Sequence, residues 1–332
     1  MAGRTKPGQY SPVSLEALTL IAKRERKDPR LLLAYLALAR HTTMKDLDGR
    51  GPNMITGAGA KKVMAVAYCG APMANSMIRV LCDMGLIKKA PASLPPMQAR
   101  WAMQHRGTVN IPHALIDGIS HGDGIDRLLK SGASNEVITC AIMLLVYCYA
   151  GHDLQEHGGI SQQALWREWR HQISTQEQGF RVTAEPASEY SKKAWQQLVM
   201  ASMGLGDGEQ ERQTFWDAFN MLKDAGLIYE VLTAIKGNQR FPIRVNDLHA
   251  TQNDPSLMGS IREVGFYEHK DNERSAPESC RVYLHVEPEK LVGIWRLRFR
   301  CSTPETAAGI DQDYEAIEIA RAGLVKADIL YE

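Results

Sequence analysis

Long apolar runs, paired cysteines and net charge are all scarce in this sequence, and each shortage removes a class of protein. The longest apolar stretch, Val137 to Ala150, covers about 14 residues and includes Thr139 and Tyr147, whereas a bilayer span needs roughly 20. It reads as a buried core helix, and no membrane partner is expected. No apolar segment directly follows Arg4 and Lys6, so no secretory signal is expected and the cytoplasm is the expected location. The six cysteines (Cys69, Cys82, Cys140, Cys148, Cys280 and Cys301) form no C-x-x-C pair, and none stands beside a histidine at zinc-ligand spacing. They read as reduced core thiols, with no metal and no cofactor expected. A net charge of +1 over 332 residues rules out attraction of the chain as a whole to a polyanion. Hydrophobic residues at 44% and charged residues at 23% argue against disorder and against a fibrous repeat. The length suits two or three domains.

Catalytic constellations are missing as well. Gly57-Ala58-Gly59-Ala60-Lys61-Lys62 has the glycines and lysine of a phosphate loop without the G-x-x-x-x-G-K-[ST] spacing, and no apolar strand is expected before it. His152 and His157 are five apart with Asp153 and Glu156 nearby, a set that could form a loop metal site. Asp46-Leu47-Asp48-Gly49 is too short for a calcium loop and reads as a turn. Nothing assembles a nucleophile, a base and an orienting acid, so the chain is not expected to be an enzyme.

What is present is an uneven distribution of charge. Residues 1–30 carry seven basic and three acidic side chains. Residues 55–104 carry Lys61, Lys62, Arg79, Lys88, Lys89 and Arg100 against Asp83 alone. Residues 151–245 hold ten basic and twelve acidic groups, and residues 303–332 hold Arg321 and Lys326 against seven acids. A polyanion would therefore dock on the first third of the chain.

An internal repeat organises the rest. Leu81-Cys82-Asp83-Met84-Gly85-Leu86-Ile87 recurs as Leu222-Lys223-Asp224-Ala225-Gly226-Leu227-Ile228. The pattern predicts a helix that stops at a left-handed glycine and passes at once into an apolar strand. Before the first copy, Met73, Met77, Val80, Leu81 and Met84 fall at helical spacing and read as its apolar face. Pro72 suits the first turn. Lys61 to Tyr68 predicts a shorter helix, with Cys69-Gly70 as a tight turn, and Leu31 to Ala39 predicts an earlier one. After Lys89 the loop Pro91 to Pro96 separates two strands, the second being Ala99 to Met103.

Helix, short turn, helix and two strands with a loop resemble the winged-helix superfamily, over about 75 residues. The second copy resembles it less regularly. Ser134 to Ala150 and Ser161 to His171 are expected helices, followed by some 35 residues in place of a short turn. Thr214 to Asp224 is the next helix, then the strands Leu227 to Leu232 and Phe241 to Val245 flank a Lys236-Gly237-Asn238 turn. Beyond it, Arg281 to Val286 and Ile294 to Arg300 read as strands. In the latter Trp295, Leu297 and Phe299 alternate with the basic Arg296, Arg298 and Arg300. Thr303 starts a further helix.

The expected fold class is mainly α with small β-hairpins (α+β), as two tandem winged-helix units plus a small C-terminal α/β segment. The expected parts are a basic N-terminal arm at 1–28, unit 1 at 29–125, unit 2 at 132–250 with an insertion near 172–210, and a strand-helix segment at 251–332. Two winged helices in one chain resemble plasmid-type replication initiators in architecture. The resemblance implies sequence-directed binding of double-stranded DNA, for replication initiation or transcription regulation. The binding protein would be a homodimer, paired through residues 134–250. Helix Ala71–Asp83 would enter the major groove with Asn75, Ser76 and Arg79 toward base edges. Lys61, Lys62, Lys88, Lys89 and Arg100 would bear on phosphates. Trp166, Trp169, Phe215, Trp216 and Phe219 read as core or interface. The alternatives are a winged-helix subunit of a larger complex without DNA contact, its protein partner held through the acidic C-terminus, and a nuclease or other enzyme with a catalytic C-terminal part.

Overall fold

The computed structural model describes residues 10–25, 28–46, 52–90, 100–105, 107–118, 124–152, 160, 166–176, 179–186, 193–235, 245–247, 282–284 and 290–299. Residue contacts divide the chain into two compact units. The first takes its described residues from Met1–Ala150, Ala194–Leu227 and Phe299–Ser302, and the second from Gly151–Lys193 and Ile228–Arg298. Helices and antiparallel sheets are mixed, an α+β composition.

The first unit is built around helices that have no polar side to show. Helix α1 (Leu15–Arg24) starts where the Ser14 hydroxyl accepts from the Ala17 amide at 3.1 Å, satisfying one of the amides a helix start leaves open. It follows strand β1 (Tyr10–Val13). Helix α2 (Pro29–Arg40) is capped by Asp28 and buries every residue from Leu31 to Ala39. A helix apolar all round must be enclosed, and each fully buried leucine in it contributes roughly 1.5–3 kcal/mol. Much of the span expected as a basic arm is therefore folded: Tyr10–Val13 is a strand, and α1 buries Ala17, Leu18, Ile21 and Ala22.

Strands β2 (Thr42–Asp46) and β3 (Pro52–Thr56) form a hairpin after α2. Helices α3 (Ala60–Ala67) and α4 (Ala71–Asp83) follow, joined by a three-residue turn, Tyr68 to Gly70. Strands β4 (Ile87–Lys89) and β5 (Trp101–Met103) pair with each other, and β5 pairs with β3, giving the antiparallel order β2-β3-β5-β4. The expected loop Pro91 to Pro96 lies outside the described residues. Strand β6 (Val109–Pro112) returns to pair with β1. Short helices α5 (His113–Asp117) and α6 (Asp126–Leu129) lead into α7 (Asn135–Ala150). All twelve residues of α7 from Ile138 to Tyr149 are buried, so the longest apolar run is a core helix. No described helix is long and apolar enough to cross a membrane. Helices α8 (Lys193–Ser202) and α9 (Glu209–Asp224) complete the unit, and α9 packs on α7 with Phe215, Ala218, Phe219 and Leu222 buried.

Both copies of the repeated heptapeptide end a helix in the same way. Gly85 has φ +72° and Gly226 φ +64°, the left-handed conformation that carries no Cβ clash in glycine. The amides of Gly85 and Leu86 donate to the Cys82 and Leu81 carbonyls at 2.8 and 3.0 Å. Those of Gly226 and Leu227 donate to Lys223 and Leu222 at 2.7 and 2.9 Å. In each copy the two leucines joined by the longer bond are buried, the apolar contact that accompanies this helix stop.

The second unit contains a six-stranded, fully antiparallel sheet. Its strands are β7 (Trp166–Gln176), β8 (Gly179–Pro186), β9 (Ile228–Ile235), β10 (Val245–Asp247), β11 (Val282–Leu284) and β12 (Lys290–Leu297), in the order β10-β9-β12-β7-β8-β11. Of the helix expected over Ser161 to His171, residues 161–165 lie outside the described residues, and from Trp166 the chain is instead a strand, paired with β8 from Trp169↔Pro186 to Gln176↔Gly179. Aromatic and β-branched residues suit a paired strand, and cross-strand pairing overrides local helical spacing. The stretch 172–210 accordingly holds the end of β7, strand β8 and helix α8. The open basic face expected around Ile294 to Arg300 is also revised. Arg298 is exposed, but Arg296 is buried as are Trp295 and Leu297 on the opposite face, so both faces of β12 are covered at this point. The expected turn at Lys236 to Asn238, the residues 241–244 of its second strand, and the helix from Thr303 lie outside the described residues.

Candidate nucleic-acid interface

All eight residues singled out for DNA contact belong to the first unit, and all eight are exposed: Lys61, Lys62, Asn75, Ser76, Arg79, Lys88, Lys89 and Arg100. Three elements carry them. Helix α4 buries Ala74, Met77, Ile78 and Leu81, so at 100° per residue its opposite face is the stripe of Pro72, Ser76, Arg79 and Asp83, flanked by Asn75. One face of α4 thus shows hydrogen-bonding groups near the helix start and a guanidinium one turn on.

Helix α3 carries Lys61 and Lys62 in its first turn. Its N-cap is Gly59, which provides no side-chain acceptor, and no acidic residue stands in that turn. Two lysines at the positive end of a helix dipole are unfavourable alone and favour a bound anion. The loop before α3 is held by the Thr56 hydroxyl, which accepts from the Ala58 amide at 3.1 Å. That loop follows strand β3, so a strand does precede Gly57 to Lys62, contrary to expectation. Thr42 to Asp46 lies across from it, and the cross-strand ladder made this segment extended. The glycine and lysine spacing of a nucleotide loop is still lacking.

The β4–β5 hairpin supplies the remaining cations. Lys88 pairs with Ala102 and Lys89 with Trp101. Arg100 stands at the base, where its amide donates to the Thr56 carbonyl at 2.8 Å and its carbonyl accepts from the Ala90 amide at 3.0 Å. Its guanidinium lies over Gly59: a Cβ at position 59 would meet Nη1 at 2.5 Å. The tertiary structure therefore joins the base of the hairpin to the start of α3, bringing Arg100 to the Lys61 and Lys62 turn from 38 or more residues away in sequence.

The charge of Lys62 on α3 reaches His41 at the end of α2. Burial first, and then the charges of Lys62 and Arg40, hold the His41 imidazole below its ordinary value, against the opposing pull of Asp117. His113, whose Nε2 is 2.8 Å from the Ser11 hydroxyl, is lowered to about 4 by burial and by Arg40. Arg40 donates from Nε and Nη2 to one Asp117 oxygen at 2.9 and 2.6 Å. This group fastens the C-terminal end of α2, on which α3 and α4 pack.

Two features were not read from the sequence. Tyr68, in the turn between α3 and α4, has φ +49° without being glycine. Its hydroxyl donates to Asp126 at 2.9 Å, Lys130 donates to the same carboxylate oxygen at 2.7 Å, and the Lys130 ammonium stands 4.7 Å from the Tyr68 ring centre. Burial raises the Asp126 carboxyl, but hydrogen bonds from Lys130 and Tyr68 prevail and hold it below its ordinary value. The second is Met73, assigned above to the apolar face and in fact 46% exposed. It stands one turn before Met77, beyond the end of the packed stripe. Val80 and Met84 are half-buried.

Elsewhere the chemistry stays sparse. Among the described residues no group of three His, Cys, Asp or Glu side chains is placed to hold a metal ion. His157, Asp153 and Glu156 lie outside the described residues, as do Cys280 and Cys301. Cys140 and Cys148 are buried, while Cys69 and Cys82 are half-buried. Phe215 and Phe219 are core residues, each in an edge-to-face contact with Trp216. Comparison with protein families, with curated proteins and with solved structures finds no match to this chain.

Proposed function

We propose that the segment from α2 to β5 is a winged helix that binds double-stranded DNA, with α4 in the major groove and α3, Lys88, Lys89 and Arg100 on the phosphate backbone. The observation that carries this reading is the shared exposure of the eight polar and basic residues on α3, α4 and the β4–β5 hairpin, with α3 packed on α4 and joined to the hairpin through Arg100 and Gly59. The order helix, two strands, helix, helix, strand, strand, with β3, β5 and β4 adjacent in the sheet and β2 added at its edge, supports it. Phosphate contacts give affinity and register, and base edges near the start of α4 give sequence choice. The function served is that of a replication initiator or transcriptional regulator, acting as a dimer paired through residues 134–250.

The test is fluorescence-anisotropy binding of the full chain to duplex fragments across a salt series. Affinity should fall steeply with salt and differ between fragments. Lys88→Ala/Lys89→Ala should lower the salt slope by about 0.9 for each phosphate contact removed. A slope unchanged by that double variant would remove the hairpin from the interface. Absence of binding to every fragment at low salt would defeat the DNA reading.

One observation favours a second reading, a subunit that contacts protein alone. Helix α9 exposes Glu209, Asp217 and Asp224, a surface that repels phosphate and suits a basic protein partner. In that case the lysine substitutions leave nucleic-acid affinity unaffected.

A further inference from the structure

The starts of α3 and α4 differ in a way that assigns them different parts of a duplex. At α3 the start is uncapped and cationic, with Arg100 against Gly59 and lysines at 61 and 62. At α4 the first three residues are Ala71, Pro72 and Met73, all exposed and all apolar. Pro72 also removes one of the amides that would face an anion. A phosphate is well served by the first tip and poorly by the second.

We infer that Met73, with Pro72 beside it, reads thymine methyl groups in the major groove, so that recognition by α4 requires A·T pairs at the bases facing its N-terminus. This rests on the DNA-binding reading given above. Met73 is 46% exposed although Ala74, Met77, Ile78 and Leu81 on the same helix are packed. The core therefore does not use it, and an unbranched thioether adapts to an irregular apolar contact. In the major groove the one apolar group on any base edge is the thymine C5-methyl. Duplex DNA is the occupant that fits the surroundings, because the same helix exposes Ser76 and Arg79 and the neighbouring elements expose Lys61, Lys62, Lys88 and Lys89. Arg79, six residues and so nearly two turns farther along, would meet a different base pair from Met73.

The experiment starts from a site selected by the full chain from a randomised duplex library. Each thymine is then replaced in turn by deoxyuridine, which removes the methyl group and leaves the pairing edge intact. Anisotropy titrations should show about fourfold weaker binding at one or two positions, the effect of one methyl group left in water. Met73→Ala should bind the thymine and uracil duplexes equally while keeping the wild-type salt slope. Met73→Leu should keep the discrimination. Indifference to every uracil substitution, or discrimination that survives Met73→Ala, would overturn the inference and leave DNA binding standing. Failure of the wild-type chain to bind any duplex would overturn both, and would turn the apolar tip into a contact for protein.

Discussion

The two copies of Leu-x-Asp-x-Gly-Leu-Ile end their helices with the same hydrogen bonds and the same left-handed glycine, yet they sit in opposite electrostatic settings. The first copy closes α4, and neither α4 nor α3 before it has an acid in its first turn, where α3 carries Lys61 and Lys62. The second closes α9, which begins with Glu209 and Glu211. A polyanion is drawn to the cationic start of α3 and repelled by the acidic start of α9. The strands that follow differ too. Strand β4 has three residues and stays in the first unit, whereas β9 has eight and belongs to the second, the boundary falling between Leu227 and Ile228. The heptapeptide is a local rule for stopping a helix and starting a strand. It does not say which sheet the strand joins or what the helix faces.

The largest test of this equivalence is truncation of the leucine that each stop buries. Leu81 and Leu222 are both fully buried, so Leu81→Ala and Leu222→Ala should each lower stability in urea by about 2–5 kcal/mol. If one of the two were nearly silent, the copies would not share a mechanism. A smaller effect is expected at the glycines. Nothing lies within 4 Å of a Cβ added at Gly85, so Gly85→Ala should lose only the backbone preference, about 1–2 kcal/mol. Gly85→Asn should lose less, because Asn tolerates that conformation. Gly226→Ala should match Gly85→Ala if the stop alone matters.

A further test separates the regions by pH. His113 helps fasten the α2 end on which α3 and α4 pack, and it stays neutral in the folded chain down to about pH 4, against an ordinary value of 6.5. Above pH 6.5 both states are neutral and the group contributes nothing to pH dependence. As pH falls from 6.5 toward 4 the unfolded chain takes up a proton that the folded chain refuses, so stability declines, and below 4 this contribution levels off. Denaturation midpoints across that window should fall less in His113→Gln than in the wild type. An identical decline would place the acid sensitivity elsewhere.

Much of the candidate interface was legible before any coordinates. The span Ala71–Asp83 was readable as a helix because Pro72, an apolar repeat and Gly85 mark its start, packed face and end. Lys61, Arg79 and Lys88 were readable as surface because they interrupt apolar patterns at the right period. Met73 was misread for the same reason: its four-residue spacing from Met77 is that of a core position, and periodicity alone cannot tell where a helix runs past the core. Tyr68 gave no sign at all, since its strained turn is supported by Asp126 and Lys130, 58 and 62 positions away. Trp166 to His171 was misread because strand pairing with residues up to Pro186 outweighs a short local period.

By itself the sequence determined the helix stops at Gly85 and Gly226, the burial of α2 and α7, and the concentration of basic residues in the first third of the chain. These depend on short-range backbone geometry and on side-chain solubility, which neighbouring residues settle. Only the tertiary structure decided that Arg100 lies on Gly59 beside Lys61 and Lys62, that Arg296 is buried, and that β9 leaves the unit of the helix before it. Those outcomes depend on pairing between distant strands, and the free energy of such contacts belongs to neither partner segment alone.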